Sequence, residues 1–201
     1  GQPKQLTFGN GITFFRWAPD SQSILYGADN NGNEQESFNL ISADGAIERE
    51  LLAAKEGSFR QFGDFLPDGQ SLLFSSPDRN GSDFDIYRAT SEGAPKLLAQ
   101  GHLDTGVQSV SPDGATAIVS EGVGEESDKL MLLDIRSGKL TTLAAPESRA
   151  NHTDGDFAWT PDSKGFYFAS SEGREFAALA FHDIVANKTT ILHEAPFNIE
   201  N

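Results

Sequence analysis

The dipeptide Pro-Asp recurs along this chain at near-regular intervals, and that recurrence limits the fold more than any other feature. Four copies stand at Pro19-Asp20, Pro67-Asp68, Pro112-Asp113 and Pro161-Asp162, so these aspartates are 48, 45 and 49 residues apart. Self-similarity at this period marks a stacked architecture, in which each unit buries the apolar face of the next. Other features keep step with the dipeptide. Two residues before each proline stands an apolar residue: Trp17, Phe65, Val110 and Trp159. Shortly after each aspartate comes an apolar triplet: Ile24-Leu25-Tyr26, Leu72-Leu73-Phe74, Ala117-Ile118-Val119 and Phe166-Tyr167-Phe168. Each aspartate is also followed, 25 residues on, by Gly45, Gly93, Gly138 or Asn187. Glycine and asparagine both tolerate the left-handed backbone of a tight turn.

One unit can be written out strand by strand. Strand a ends at the Trp/Phe/Val position. Pro-Asp then turns the chain: proline fixes φ, and Asp20, Asp68, Asp113 and Asp162 are placed to cap nearby backbone N–H groups as structural turn residues. Strand b is the triplet with its flanks, and three consecutive apolar residues imply a sheet covered on both faces. Polar turns at 30–32, 79–81, 122–124 and 172–173 lead to strand c. The Gly/Asn turn leads to strand d. Four short antiparallel strands in about 45 residues make one blade of a β-propeller. The fold class is therefore all-β: four four-stranded blades at about 10–55, 56–100, 101–147 and 148–197. Frequent Gly and Pro argue against helix, and a two-sheet sandwich would not explain one identical 25-residue offset in four copies. Pro3-Lys4-Gln5-Leu6-Thr7 is similar to the strand d at Pro95-Lys96-Leu97-Leu98-Ala99. Residues 3–8 are accordingly expected as the last strand of a preceding blade, and the chain as a fragment of a larger propeller. An open arc of blades would expose faces that neighbours normally cover, which predicts self-association.

Composition excludes several partners. The 201 residues carry 30 acidic and 15 basic side chains, a formal charge of −15. Such a surface repels nucleic acid and anionic membranes. There is no cysteine, so disulfides and thiolate metal sites are ruled out. No apolar run approaches the roughly 18 residues of a membrane-inserted helix.

The units Trp17-Ala-Pro-Asp20 and Pro77-Asp-Arg-Asn-Gly-Ser-Asp-Phe-Asp-Ile-Tyr87, with the opening Gln5-Leu6-Thr7-Phe8-Gly9, resemble the TolB-type PD40 relatives of WD40 repeats. The degenerate repeats, long blades and many phenylalanines look most like the N-terminal propellers of prolyl oligopeptidase-family serine peptidases. That resemblance implies a propeller seated over an α/β-hydrolase domain in a longer chain, filtering peptide substrates by size. TolB-like propellers instead imply a protein or peptide partner and no peptidase domain.

Chemistry is sparse in the chain itself. There is no Gly-x-Ser-x-Gly nucleophile elbow, and Ser109, after Gly106-Val-Gln, lacks the closing glycine. His102, His152, His182 and His193 are scattered without a serine in triad context. No catalytic residue, cofactor site or metal site is assigned. The run from Asp78 through Asn80 and Asp83 to Asp85 alternates oxygen ligands as hard cations accept, but its twelfth position is Ala89 rather than a bidentate Glu. Turn chemistry accounts for these residues. Glu125-Glu126 could hold a peptide amino terminus, but its surroundings fit a solvated turn better. In a propeller strand a lines the central channel, so the loops leading into it offer His102, Asp104, His152 and Asp154 as channel-mouth contacts. Trp17, Phe65 and Trp159 are expected in blade-to-blade packing.

Overall fold

Each repeat folds into its own antiparallel sheet, with the strands side by side in chain order. The computed structural model describes residues 3–8, 11–124, 127–144 and 157–199. The first sheet holds β1 (Ile12–Trp17), β2 (Ser23–Ala28), β3 (Ser37–Ser42) and β4 (Glu48–Leu52). The second holds β5 (Gln61–Phe65), β6 (Ser71–Ser76), β7 (Asp85–Thr90) and β8 (Lys96–Ala99). The third is β9 (Thr105–Val110), β10 (Thr116–Gly124), β11 (Ser127–Asp134) and β12 (Lys139–Ala144). The fourth is β13 (Ala158–Trp159), β14 (Gly165–Ser170), β15 (Ala178–Asp183) and β16 (Lys188–His193).

The apolar triplets explain how the sheets stack. Successive strand residues point to opposite faces, so one triplet serves two interfaces. Leu25 of the first sheet meets Leu72 and Phe74 of the second in one cluster. Leu73, between those two, points the other way and joins Ala117 and Val119 of the third sheet. Ile118 in turn joins Phe166 and Phe168 of the fourth. Three apolar layers therefore alternate with four sheets. The first layer is aromatic: Phe38 is fully buried and sits edge-on to Phe14, Phe62 and Phe74 at centroid distances of 5.4, 6.3 and 6.1 Å. Burial of each such ring stabilises by about 1.5–3 kcal/mol.

The residue two before each proline leans back onto the preceding sheet. Phe65 and Val110 are 7% and 8% exposed, and Trp159 packs on the third sheet's Ile118 and Leu130 layer. Trp17 occupies the same repeat position yet is 58% exposed. No sheet precedes the first among the described residues, so the packing expected of Trp17 is not made. Residues 3–8, expected as a strand, form none among the described residues. A strand d needs a strand c of its own blade. Instead Leu6, Thr7 and Phe8 border a cavity with Ile12, Tyr26 and Glu48 on the first sheet's uncovered side.

The Pro-Asp turns form a connected row. Ser21, Gly69, Gly114 and Ser163, each just after the aspartate, all have positive φ. Their N–H groups donate to the carbonyls of Ala18, Leu66, Ser111 and Thr160 at 2.8–3.0 Å. Successive turns also touch. A Cβ on Gly114 would lie 2.9 Å from Pro67, and Asp113 N donates to Ser163 Oγ at 3.0 Å.

The turn aspartates work in two local versions. Asp20 Oδ1 accepts N–H groups of Gln22 and Ser23 at 2.8 and 3.0 Å, and Asp68 Oδ1 those of Gln70 and Ser71 at 2.9 and 2.7 Å. In the later copies the hydroxyl moves to the other side of the proline. Asp113 accepts Ser111 Oγ and Ala115 N, while Ser111 Oγ takes Thr116 N. Asp162 and Thr160 repeat this with Lys164 and Gly165.

Candidate channel-mouth site

Strand a of each sheet lies at one edge, and the strands a of the second and third sheets are tied together. Asp64 Oδ2 on β5 accepts Val110 N of β9 at 2.9 Å, while Oδ1 accepts Phe65 N at 2.8 Å. Burial pushes the Asp64 carboxyl upward against these two donors. Beside this tie, Gln61 and Gln108 are exposed and rest on Ser75 Oγ and Ser120 Oγ at 3.4 and 2.8 Å. Gly106 lies between the two amides, with room for a Cβ 3.7 Å from Gln61 and 3.5 Å from Gln108. The inner edge of the second and third sheets is thus polar and uncharged apart from Asp64.

His102 and Asp104 sit on the β8–β9 loop, at the end of the stack opposite the Pro-Asp turns. Both side chains are exposed, but their backbone is held firmly. Phe84 N donates to His102 O at 3.0 Å, His102 N to Thr105 Oγ1 at 3.0 Å, and Gly122 N to Asp104 O at 3.0 Å. Gly122 leaves space that the Asp104 carboxylate fills, since a Cβ there would lie 2.8 Å from Oδ2. The loop is therefore a fixed platform presenting one imidazole and one carboxylate. His152 and Asp154 lie outside the described residues, as do Glu125 and Glu126.

The acidic hairpin between β6 and β7 is committed to protein partners. Asp85 is fully buried and accepts Arg79 Nε at 2.7 Å, Arg79 Nη2 at 3.1 Å and Gly101 N at 2.9 Å. Asp83 takes Asn80 and Arg79; the Asn80 amide does most to lower its carboxyl, desolvation opposes that, and the Arg79 guanidinium adds to the lowering. Asp78 pairs with Lys55 at 2.9 Å. Burial raises the Asp78 carboxyl, but Ser58, Lys55 and Ser76 together outweigh it and leave it lowered. These carboxylates thus close a cation-neutralised hairpin. Among the described residues no three His, Cys, Asp or Glu side chains are grouped to hold a metal.

One hydroxyl–imidazole contact occurs among the described residues: His182 Nδ1 and Thr189 Oγ1 at 3.0 Å. It lacks a nucleophile's surroundings. His182 is 2% exposed beside the Phe166 ring, and its Nε2 has no partner to orient it. Among the described residues the groups brought together offer shape and hydrogen bonds and make no acid–base–nucleophile set.

No protein-family model matches the chain. Two curated proteins are similar to it. It is 25% identical over 169 residues, 84% of this chain, to the uncharacterized peptidase YuxL of Bacillus subtilis. It is 32% identical over 123 residues, 54% of this chain, to dipeptidyl-peptidase 5 of Porphyromonas gingivalis. Among solved structures, TolB from Acinetobacter baumannii superposes over 99% of this chain with a TM-score of 0.67 and 21% identity. This fold is a partial β-propeller. A prolyl endopeptidase structure covers 92% of the arc with a TM-score of 0.70 and 14% identity. The arc spans 23% and 17% of the two curated relatives and 48% and 29% of the two solved chains.

Proposed function

We propose that this arc is the non-catalytic propeller portion of a serine peptidase, which gates and positions peptide substrates for a hydrolase domain elsewhere in a longer chain. The observation that carries the reading is the pair of sequence relatives, both peptidases, aligned over the propeller repeats. The exposed His102–Asp104 platform and the neutral amides Gln61 and Gln108 supply hydrogen bonds to a passing peptide backbone without committing to one side chain. The full-length protein should react with a serine-directed fluorophosphonate probe and cleave short peptides in preference to folded proteins. Absence of labelling, together with absence of a Gly-x-Ser-x-Gly unit from the complete polypeptide, would overturn it. The likeness to TolB supports a second reading, an interaction propeller that captures a protein or peptide without cleaving it. In that case the full-length protein binds peptide and leaves both the probe and the peptide unchanged.

A further inference from the structure

The strongest unassigned feature lies between the second and third blades, at the Pro-Asp-turn end of the stack. A cleft of about 470 Å³ opens there, lined by Arg88 and Lys96 from one blade and Arg136 from the next. Its apolar wall is Leu66, Leu98 and Ile135. In a chain with twice as many acidic as basic residues, three cations meeting at one cleft run against the prevailing charge.

These cations are only partly neutralised by their own neighbours, since Arg88 alone of the three makes an ion pair, with Asp68. Arg88 and Lys96 are directly opposed across β7 and β8. Like charges placed opposite each other on a sheet repel. Arg88 reaches Asp68 at 3.3 Å and Ser71 Oγ at 3.0 Å through Nη2, but its Nε is buried without a partner. Lys96 and Arg136 make no ion pair among the described residues. Asp134 is the one carboxylate in the lining, and its Oδ1 is engaged by Ser137 N and Ser137 Oγ, each at 2.7 Å. Counting Asp68 as well, cations still outnumber carboxylates.

We propose that this cleft binds an extended acidic peptide segment, with its carboxylates on Arg88, Lys96 and Arg136 and an apolar side chain against Leu98 and Ile135. Guanidinium groups match carboxylates in two-point geometry. The cleft also opens beside β8, the edge strand of its sheet; Leu98 O there faces Gly138 of the next blade, and the backbone groups of Lys96 and Leu97 have no outer strand to pair with. A peptide can use those groups as well as the charges, which a small anion cannot. The site is independent of the gating reading, since Leu66, Gly114 and Ala115 place it at the Pro-Asp-turn end of the stack, opposite the His102–Asp104 loop.

Fluorescence anisotropy with a labelled Leu-Glu-Leu-Glu-Leu-Glu peptide tests this. Lys96 and Arg136 are exposed, so the double variant K96Q/R136Q keeps the fold. The acidic peptide should bind at low salt, about tenfold more tightly than its Leu-Gln counterpart. The double variant should lose about tenfold in affinity, whereas Lys188→Gln, on the fourth blade, should leave it unchanged. Four results would overturn the proposal: no binding, equal binding of the neutral peptide, full affinity in K96Q/R136Q, or displacement of the peptide by inorganic phosphate at equal concentration.

Discussion

Replacing Gly138 by alanine should cost far more than the same change at Gly93, although the two hold the same place in the repeat. Both have positive φ, +74° and +81°. Alanine in that region is disfavoured by about 1–2 kcal/mol wherever it occurs. At Gly93 that is the whole effect, because a Cβ would meet nothing within 4 Å. At Gly138 the Cβ would fall closer than 3.0 Å to the Leu98 carbonyl oxygen and 3.2 Å from the Leu98 carbonyl carbon. Those are backbone atoms of the neighbouring blade, so no side chain can swing aside. The β11–β12 turn must move off β8, parting Leu98 and Leu140 from the layer they pack against. Overpacking of this kind adds about 1–3 kcal/mol. The expected losses are thus about 1–2 kcal/mol for Gly93→Ala and about 2–5 kcal/mol for Gly138→Ala. Urea unfolding followed by tryptophan fluorescence measures both midpoints. Equal shifts at an unchanged slope would refute the argument that blade-to-blade contact, and not turn conformation alone, holds glycine at 138.

Three further outcomes are expected. His182 is held below its ordinary value of 6.5 by burial, opposed weakly by Asp183, so the unfolded chain takes up its proton first. Stability should therefore fall as pH drops below 6.5 and level off below the folded value; thermal melts of His182→Phe should lose that slope, and an unchanged slope would assign it to another group. Ser111 first, then Ala115 N, lower the Asp113 carboxyl below 3.8, so its contribution is complete above 3.8 and disappears as pH falls through the lower folded value. Melts of Asp113→Asn should be less acid-sensitive than wild type in that window, and identical acid slopes would count against the turn's part in it. The self-association proposed for uncovered blade faces should weaken in Trp17→Ser, because Trp17 presents 58% of its surface; sedimentation velocity showing wild-type association in the variant would move that contact elsewhere.

The path from residues to architecture was short wherever the deciding interaction is local. A Pro-Asp turn is closed by groups within a few residues of the aspartate, and a strand's two faces follow from alternation along it. The spacing of Asp20, Asp68, Asp113 and Asp162 and the apolar triplets therefore carry the sheets, their order and the stacking. One local requirement is nevertheless hidden by residue type. Ser21 and Ser163 stand where Gly69 and Gly114 do, and the shared requirement for positive φ becomes plain only with the backbone in place.

Contacts between repeats lie beyond that reach. Trp17 and Phe65 hold equivalent positions, and only the presence or absence of a sheet behind them makes one exposed and the other buried. His102 and Asp104 read as loop residues, but what fixes them comes from Phe84 in the β6–β7 connection and Gly122 on β10. Arg88, Lys96 and Arg136 are separated by up to 48 positions and share no motif, so their cleft exists only once two blades are packed together. By itself the sequence determined the repeating unit, because a blade's own hydrogen bonds and alternation are written within about 45 residues. The tertiary structure decided which equivalent residues differ in role, because each blade's surroundings are set by the blade beside it.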